Sequence, residues 1–228
     1  MNNIAEQLRL AYHNLTENCV SLAIDPQLVQ LIAVSKTKPL SAILDAYQAG
    51  QRQFGENYPQ ELEQKCQQTT ELRDICWHFI GPLQSNKTKQ VAESADWVHS
   101  IDRLKIAQRL SAQRPPQLPP LKVLIQVNIS QEPTKSGINP SELTTLAEQI
   151  GDLPQLSLKG LMAIPAPGDS QVAFAAMQQL SLQLQRQYPD ATELSMGMSD
   201  DWPLALRYGA TMIRLGTAIF GAREYNKE

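Results

Sequence analysis

Cysteine and histidine are scarce in this 228-residue chain. Cys19, Cys66 and Cys76 are odd in number, widely spaced and form no CxxC pair. That argues against a disulfide framework and a zinc ribbon, and they read as reduced thiols, partly in the core. His13, His78 and His99 are equally scattered, so no metal site is expected. A basic surplus is also missing: 20 Lys and Arg stand against 23 Asp and Glu, a net charge of −3. Nucleic-acid binders show a basic surplus or stripe, so a nucleic-acid partner is not expected. No apolar run approaches the roughly 20 residues that a membrane span needs. The start, Met1-Asn2-Asn3-Ile4-Ala5-Glu6, lacks the basic and apolar regions of a signal peptide. The expected setting is therefore the cytoplasm. Low-complexity tracts and long linkers are absent too, and 114–120, rich in proline, reads as a stiff loop. One domain over 1–228 is expected.

What is present is an alternation. Hydrophobic residues make up 42% and charged residues 19%, ordinary for a globular domain. Ile4, Leu8, Tyr12, Leu15, Cys19 and Leu22 recur at spacings of three and four, which predicts an amphipathic first helix ended by Pro26. Strand-like apolar runs follow at 31–35, 52–55, 77–80, 97–100, 122–128, 159–163, 193–195 and 212–215. Helical patterns separate them, near 40–48, 59–68, 86–93, 103–112, 140–149, 171–187 and 201–208. Pro39 suits an opening helical turn. Val172, Ala176, Met177, Leu180 and Leu184 form the expected packing stripe of the longest of these helices. Strand–helix alternation implies parallel strands joined by helical crossovers. Eight of them predict a compact (β/α)8 barrel with an extra N-terminal helix, an open doubly wound sheet being the competitor.

In such a barrel, function gathers at the C-terminal ends of the strands. Lys36 directly follows the apolar run Leu31-Ile32-Ala33-Val34. Partial desolvation there lowers a lysine's pKa and frees the amine to attack an aldehyde, though a solvated lysine past a strand end fits as well. Gly197, Ser199, Gly216 and Thr217 cluster after the seventh and eighth strands. Glycine backbone and hydroxyls suit a phosphate, as does a helix beginning near Asp201. An N-cap at Ser199 and a plain turn at Gly216 remain the alternative, and Asp200 and Asp201 would have to point away from any phosphate. Arg214 lies inside an apolar run and needs a partner. That partner is either an internal carboxylate such as Glu56 or Glu193, or the ring nitrogen of a ligand.

These residues sit in a longer pattern. Ile32-Ala33-Val34-Ser35-Lys36-Thr37-Lys38-Pro39, Phe54-Gly55-Glu56-Asn57-Tyr58 and Trp77-His78-Phe79-Ile80-Gly81-Pro82-Leu83-Gln84-Ser85-Asn86-Lys87 belong to it. So do Lys135-Ser136-Gly137, Gly160-Leu161-Met162-Ala163-Ile164-Pro165, Leu194-Ser195-Met196-Gly197-Met198-Ser199 and Ile213-Arg214-Leu215-Gly216-Thr217-Ala218-Ile219-Phe220-Gly221. The sequence closely resembles the pyridoxal phosphate homeostasis proteins, also called proline synthase co-transcribed homologues. The resemblance runs from Leu31 to Gly221. It implies the fold-type III barrel of the alanine racemase N-terminal domain, with pyridoxal 5′-phosphate (PLP) as cofactor and a Schiff base on Lys36. It further implies that Ser199, Gly216 and Thr217 hold the phosphate with backbone help at Met198. Arg214 would face the pyridine nitrogen, and Asn57 and Met162 would line the ring. An arginine there keeps that nitrogen unprotonated and weakens the ring as an electron sink.

Three functions compete on this barrel: a PLP carrier that serves vitamin B6 homeostasis, an amino-acid racemase, and a lysine-dependent aldolase without PLP. Racemisation by two bases needs an acid/base group on each face of the substrate. Alanine racemases draw the second from a further domain, and only seven residues follow Gly221. The aldolase lacks an acidic partner for the lysine. A non-catalytic carrier, monomeric and serving apoenzyme acceptors, is the expectation, with no catalytic residue assigned.

Overall fold

The computed structural model describes residues 3–132 and 135–222. Residues 133–134 and 223–228 lie outside the described residues.

Eight parallel strands close on themselves in sequential order. They are β1 Gln30–Val34, β2 Gln53–Glu56, β3 Cys76–Phe79, β4 Trp97–Ile101, β5 Leu121–Gln126, β6 Leu156–Met162, β7 Glu193–Ser195 and β8 Met212–Leu215. The circle closes where β1 pairs with β8, Ile32 lying opposite Arg214. Closure settles the choice against the open sheet. The crossover helices are α2 Leu40–Gln48, α3 Pro59–Gln68, α4 Thr88–Ser94, α5 Leu104–Gln113, α6 Leu143–Gly151, α7 Ser170–Gln185 and α8 Trp202–Arg207. α1 Ile4–Ser21 precedes the barrel and α9 Thr217–Phe220 follows it.

Strands covered on both sides can be apolar throughout, and two apolar clusters divide along the sheet. The larger packs sheet against helices, with Phe54, Val98, Ile125, Leu161 and Ile213 among its members. The smaller, Ile32, Trp97, Leu124, Met162 and Met212, fills the barrel lumen. Two helical stripes differ from expectation by about one residue. α1 buries Leu8, Ala11, Leu15 and Cys19. Tyr12 stays partly exposed because its hydroxyl donates to Gln51 Oε1 at 2.6 Å. α7 buries Ala173, Phe174, Met177, Ser181 and Leu184 and leaves Val172 exposed. Pro39 is the residue before the helix opens rather than its first turn. Arg114, on the stiff loop, is itself an anchor: buried, it donates to the carbonyls of Ala92 and Ala95 at 2.7 Å and of Pro119 at 2.9 Å.

One glycine fixes how β6 meets β7. Gly160 has φ +148°, and a Cβ there would lie 1.8 Å from the carbonyl oxygen of Glu193, its partner across the strand pair. The obstacle is backbone and cannot swing aside. Gly160→Ala should destabilise the fold by about 2–3 kcal/mol. Urea unfolding checks it, and an unchanged midpoint would refute this account of the β6–β7 contact.

Candidate functional site

Lys36 leaves β1 at the C-terminal mouth and is half-buried. Its two neighbours are tied to a buried charge cluster. Lys65, on α3, donates to the carbonyl of Ser35 at 2.9 Å, to Glu56 Oε1 at 2.8 Å and to Glu61 Oε2 at 2.9 Å. Ser35 Oγ donates to Glu56 Oε1 at 2.6 Å, and the Thr37 amide to Glu61 Oε2 at 2.8 Å. Thr37 adopts φ +62°, an uncommon conformation for a residue with a branched side chain. The peptide on each side of Lys36 is thereby clamped. Burial pushes the Glu56 carboxyl above its ordinary pKa, while Lys65 and Ser35 pull it back.

Arg214 lies in the lumen at the ends of β6, β7 and β8, only 4% exposed. Its partners are not the carboxylates that formed one of the two alternatives above. Glu56 pairs with Lys65, and Glu193 accepts from the Thr211 hydroxyl. Arg214 instead donates to Ser195 Oγ at 2.6 Å and to the carbonyl of Ala163 at 3.0 Å. Both partners are neutral, and among the described residues it makes no ion pair. Burial lowers its pKa to about 10, so it stays a cation at neutral pH.

Gly216 opens α9, with Thr217 exposed beside it. Gly216 has φ −113°, and a Cβ there would meet nothing nearer than the Val34 carbonyl at 3.4 Å. Neither backbone strain nor packing demands glycine at that point. Gly197 differs. Its φ is +90° and a Cβ would strike Ala205 and Trp202 at 2.8 Å, so packing of α8 accounts for it rather than an anion. Ser199 is exposed in the turn before α8, whose N-cap is Asp201. Asp201 accepts from the Met198 amide at 2.7 Å and from Ser170 Oγ at 2.9 Å. The Met198 N–H is thus engaged by that carboxylate.

Asn57 follows β2, and its Oδ1 is buried without a hydrogen-bond partner. It borders a hollow of about 260 Å³ at the mouth, lined also by Ile80, Gln126 and Ile164 from the ends of three further strands. Met162 is fully buried at the end of β6. Lys36, Asn57, Met162, Arg214, Gly216 and Thr217 therefore all sit at or just below one mouth, on β1, β2, β6 and β8. The sequence did not foretell that His78 and His99 lie in the lumen beneath it, fully buried. The signal was there: each is a polar residue inside an apolar parallel strand, which demands a partner.

Among the described residues, no helix is long and apolar enough to cross a membrane, and no cluster of His, Cys, Asp and Glu could hold a metal ion.

Fold and site define a class. Residues 11–224 match the family described as alanine racemase, N-terminal domain. Alanine racemase from Corynebacterium glutamicum shares the fold at TM-score 0.69 and 14% identity, covering all of this chain and 63% of that one. Nearer relatives narrow the class. The pyridoxal phosphate homeostasis protein of Escherichia coli K12 is 52% identical over 234 residues, covering 100% of both chains. That of Haemophilus influenzae Rd is 53% identical over 231 residues, covering 98% of each. A solved structure of PipY from Synechococcus elongatus, with PLP bound, superposes at TM-score 0.79 and 43% identity, covering 91% of this chain and all of that one. The chain belongs to the pyridoxal phosphate homeostasis protein family.

Proposed function

We propose that this chain binds PLP at the barrel mouth, linked covalently to Lys36 Nζ, and holds it for apoenzyme acceptors without turning over a substrate. One observation carries the reading: Arg214, a buried cation with only neutral partners, sits where the strands end. A buried guanidinium is costly unless it is well bonded, and an electron-rich ring nitrogen supplies the acceptor it lacks. The unpartnered Asn57 Oδ1 and the open backbone at Gly216 fit the same ligand.

PLP supplies an electrophilic aldehyde and an electron-withdrawing ring. The protein's residues do the rest. Lys36 provides the amine. Arg214 donates to the ring nitrogen and keeps a second positive charge from forming there, so the ring withdraws electrons weakly. Asn57 and Met162 line the ring. Ser199, Gly216 and Thr217 hold the phosphate. For the Met198 amide to join them, Asp201 would have to release it, since a carboxylate and a phosphate cannot share one N–H. The engagement of both lumen histidines below the mouth, which leaves neither to act as a second base, supports a carrier over a racemase.

The test compares purified protein and Lys36→Ala, each given PLP, then borohydride, then L-alanine in a separate reaction. The wild type should show a visible band, keep the PLP mass after reduction and form no D-alanine, while the variant retains no mass. Equal retention by both would remove Lys36 from its role, and steady D-alanine formation would make the chain an enzyme.

A further inference from the structure

Five side chains from five strands form one hydrogen-bonded chain through the lumen. Arg214 Nη1 lies 2.6 Å from Ser195 Oγ, and Ser195 Oγ lies 2.8 Å from His99 Nδ1. His99 Nε2 lies 3.0 Å from His78 Nδ1, and His78 Nε2 lies 2.7 Å from Gln53 Oε1. Ser195, His78 and His99 are fully buried.

Counting protons gives the chain a direction. A guanidinium only donates, so Ser195 Oγ accepts from Arg214. Ser195 has one proton of its own, and its other partner is His99 Nδ1, so it donates there. His99 Nδ1 is then bare, and a neutral His99 carries its proton on Nε2, donating to His78 Nδ1. His78 in turn donates from Nε2 to Gln53 Oε1. Because Gln53 presents its Oε1 to His78 Nε2, every bond runs from Arg214 toward Gln53; the reverse tautomers would set two bare acceptors, His78 Nε2 and Gln53 Oε1, against each other. Other groups against the relay agree with neutral imidazoles. Trp97 stacks on His78 at 5.7 Å, the Cys76 thiol lies 3.5 Å from His78 Nε2, and Lys122 lies over the Trp97 ring. Desolvation likewise favours the uncharged form of both histidines.

We infer that Ser195, His99 and His78 are positioning residues, a one-way relay that holds Arg214 in a single orientation as a donor to the ring nitrogen of bound PLP. The inference rests on the PLP reading for its ligand but not for the relay itself. A one-way relay cannot accept a proton back from Arg214's side without breaking, so the guanidinium keeps its charge and its aim. Loss of the Ser195 hydroxyl leaves Arg214 only its bond to the Ala163 carbonyl, so it can turn and let the ring nitrogen compete for a proton, which makes the Lys36 linkage easier to deprotonate.

Two measurements test it. Nitrogen-15 NMR of histidine-labelled, PLP-free protein should show His78 and His99 neutral and protonated on Nε2 at pH 7. Protonation on Nδ1, or a charged ring, would overturn the relay. In PLP-loaded protein, the pH midpoint of the visible band should fall by about one unit in Ser195→Ala and in His99→Gln, through the altered charge beside the ring. Ser195→Thr, which keeps the hydroxyl, should restore it, and the exposed His13→Gln should not move it. Lower melting temperatures with an unmoved midpoint would reduce the relay to core filling. A wild type that takes up no PLP would defeat the function proposed above while leaving the NMR result to decide the relay.

Discussion

Replacing Lys65 by methionine should cost the fold about 3 kcal/mol at pH 7. The change removes the ammonium that meets Glu56, Glu61 and the Ser35 carbonyl, and leaves Glu56 fully buried without its counter-charge. Breaking one side of a buried pair is strongly destabilising, because the other charge stays desolvated. Here the loss has a ceiling, since Glu56 can take up a proton instead. From an ordinary value of 4.5, protonation at pH 7 costs roughly 1.4 kcal/mol per pH unit, or about 3.5 kcal/mol in all. The penalty should therefore shrink toward pH 5. Urea unfolding of Lys65→Met at pH 7 and 5 checks both the size and the slope, and Lys65→Met with Glu56→Gln should recover most of the loss. A double variant as unstable as the single one would mean that Lys65 acts through packing and its bond to Ser35, with charge secondary. The same variants bear on function, because this cluster clamps the peptides flanking Lys36.

Acid should weaken the protein from about pH 6.5 downward, before most carboxylates titrate. Burial depresses His78 to about 3 and holds His99 well below its ordinary value of 6.5. The sign follows from which state takes the proton first. Below 6.5 the unfolded chain protonates these rings while the folded one cannot. Their contribution is complete above 6.5 and is lost as pH falls from there toward 3. Each histidine removes about 1.4 kcal/mol per pH unit, so the two together remove about 4 kcal/mol by pH 5. Glu56, Asp96 and Asp102 act in the opposite sense. Burial raises all three, so the folded state protonates them first, and they offset part of the loss as the pH approaches their range. Unfolding free energies at pH 7.5 and 5.0 measure the fall, and His99→Gln should flatten it. A constant free energy between those two values would show that the histidines are charged, or solvated, in the fold.

Eight apolar runs separated by helical patterns were enough to place all eight strands, because a parallel barrel buries each strand on both faces and leaves the runs unbroken. Helix stripes were legible to within a residue. The misses at Tyr12 and Val172 arose where a hydroxyl bonded the buried amide of Gln51, leaving the ring partly exposed, and where α7 buries Ala173 and Phe174 instead. Lys36, Gly216 and Thr217 were legible as strand-end chemistry. Arg214 was legible as a residue in need of a partner, but its partner was not, since Ser195 and Ala163 lie on other strands.

The sequence by itself determined the alternation, the mouth at which the proposed ligand groups gather, and the family. These depend on local periodicity and on contiguous motifs, both carried by neighbouring residues. Only the tertiary structure decided that Arg214 goes without a carboxylate, that Asp201 occupies the Met198 amide, and that two scattered histidines join Ser195 in one relay. Those contacts link strands up to 96 residues apart. Closing the barrel sets which side chains share the lumen, and a polar atom buried there is bonded by whichever neighbour the closure brings.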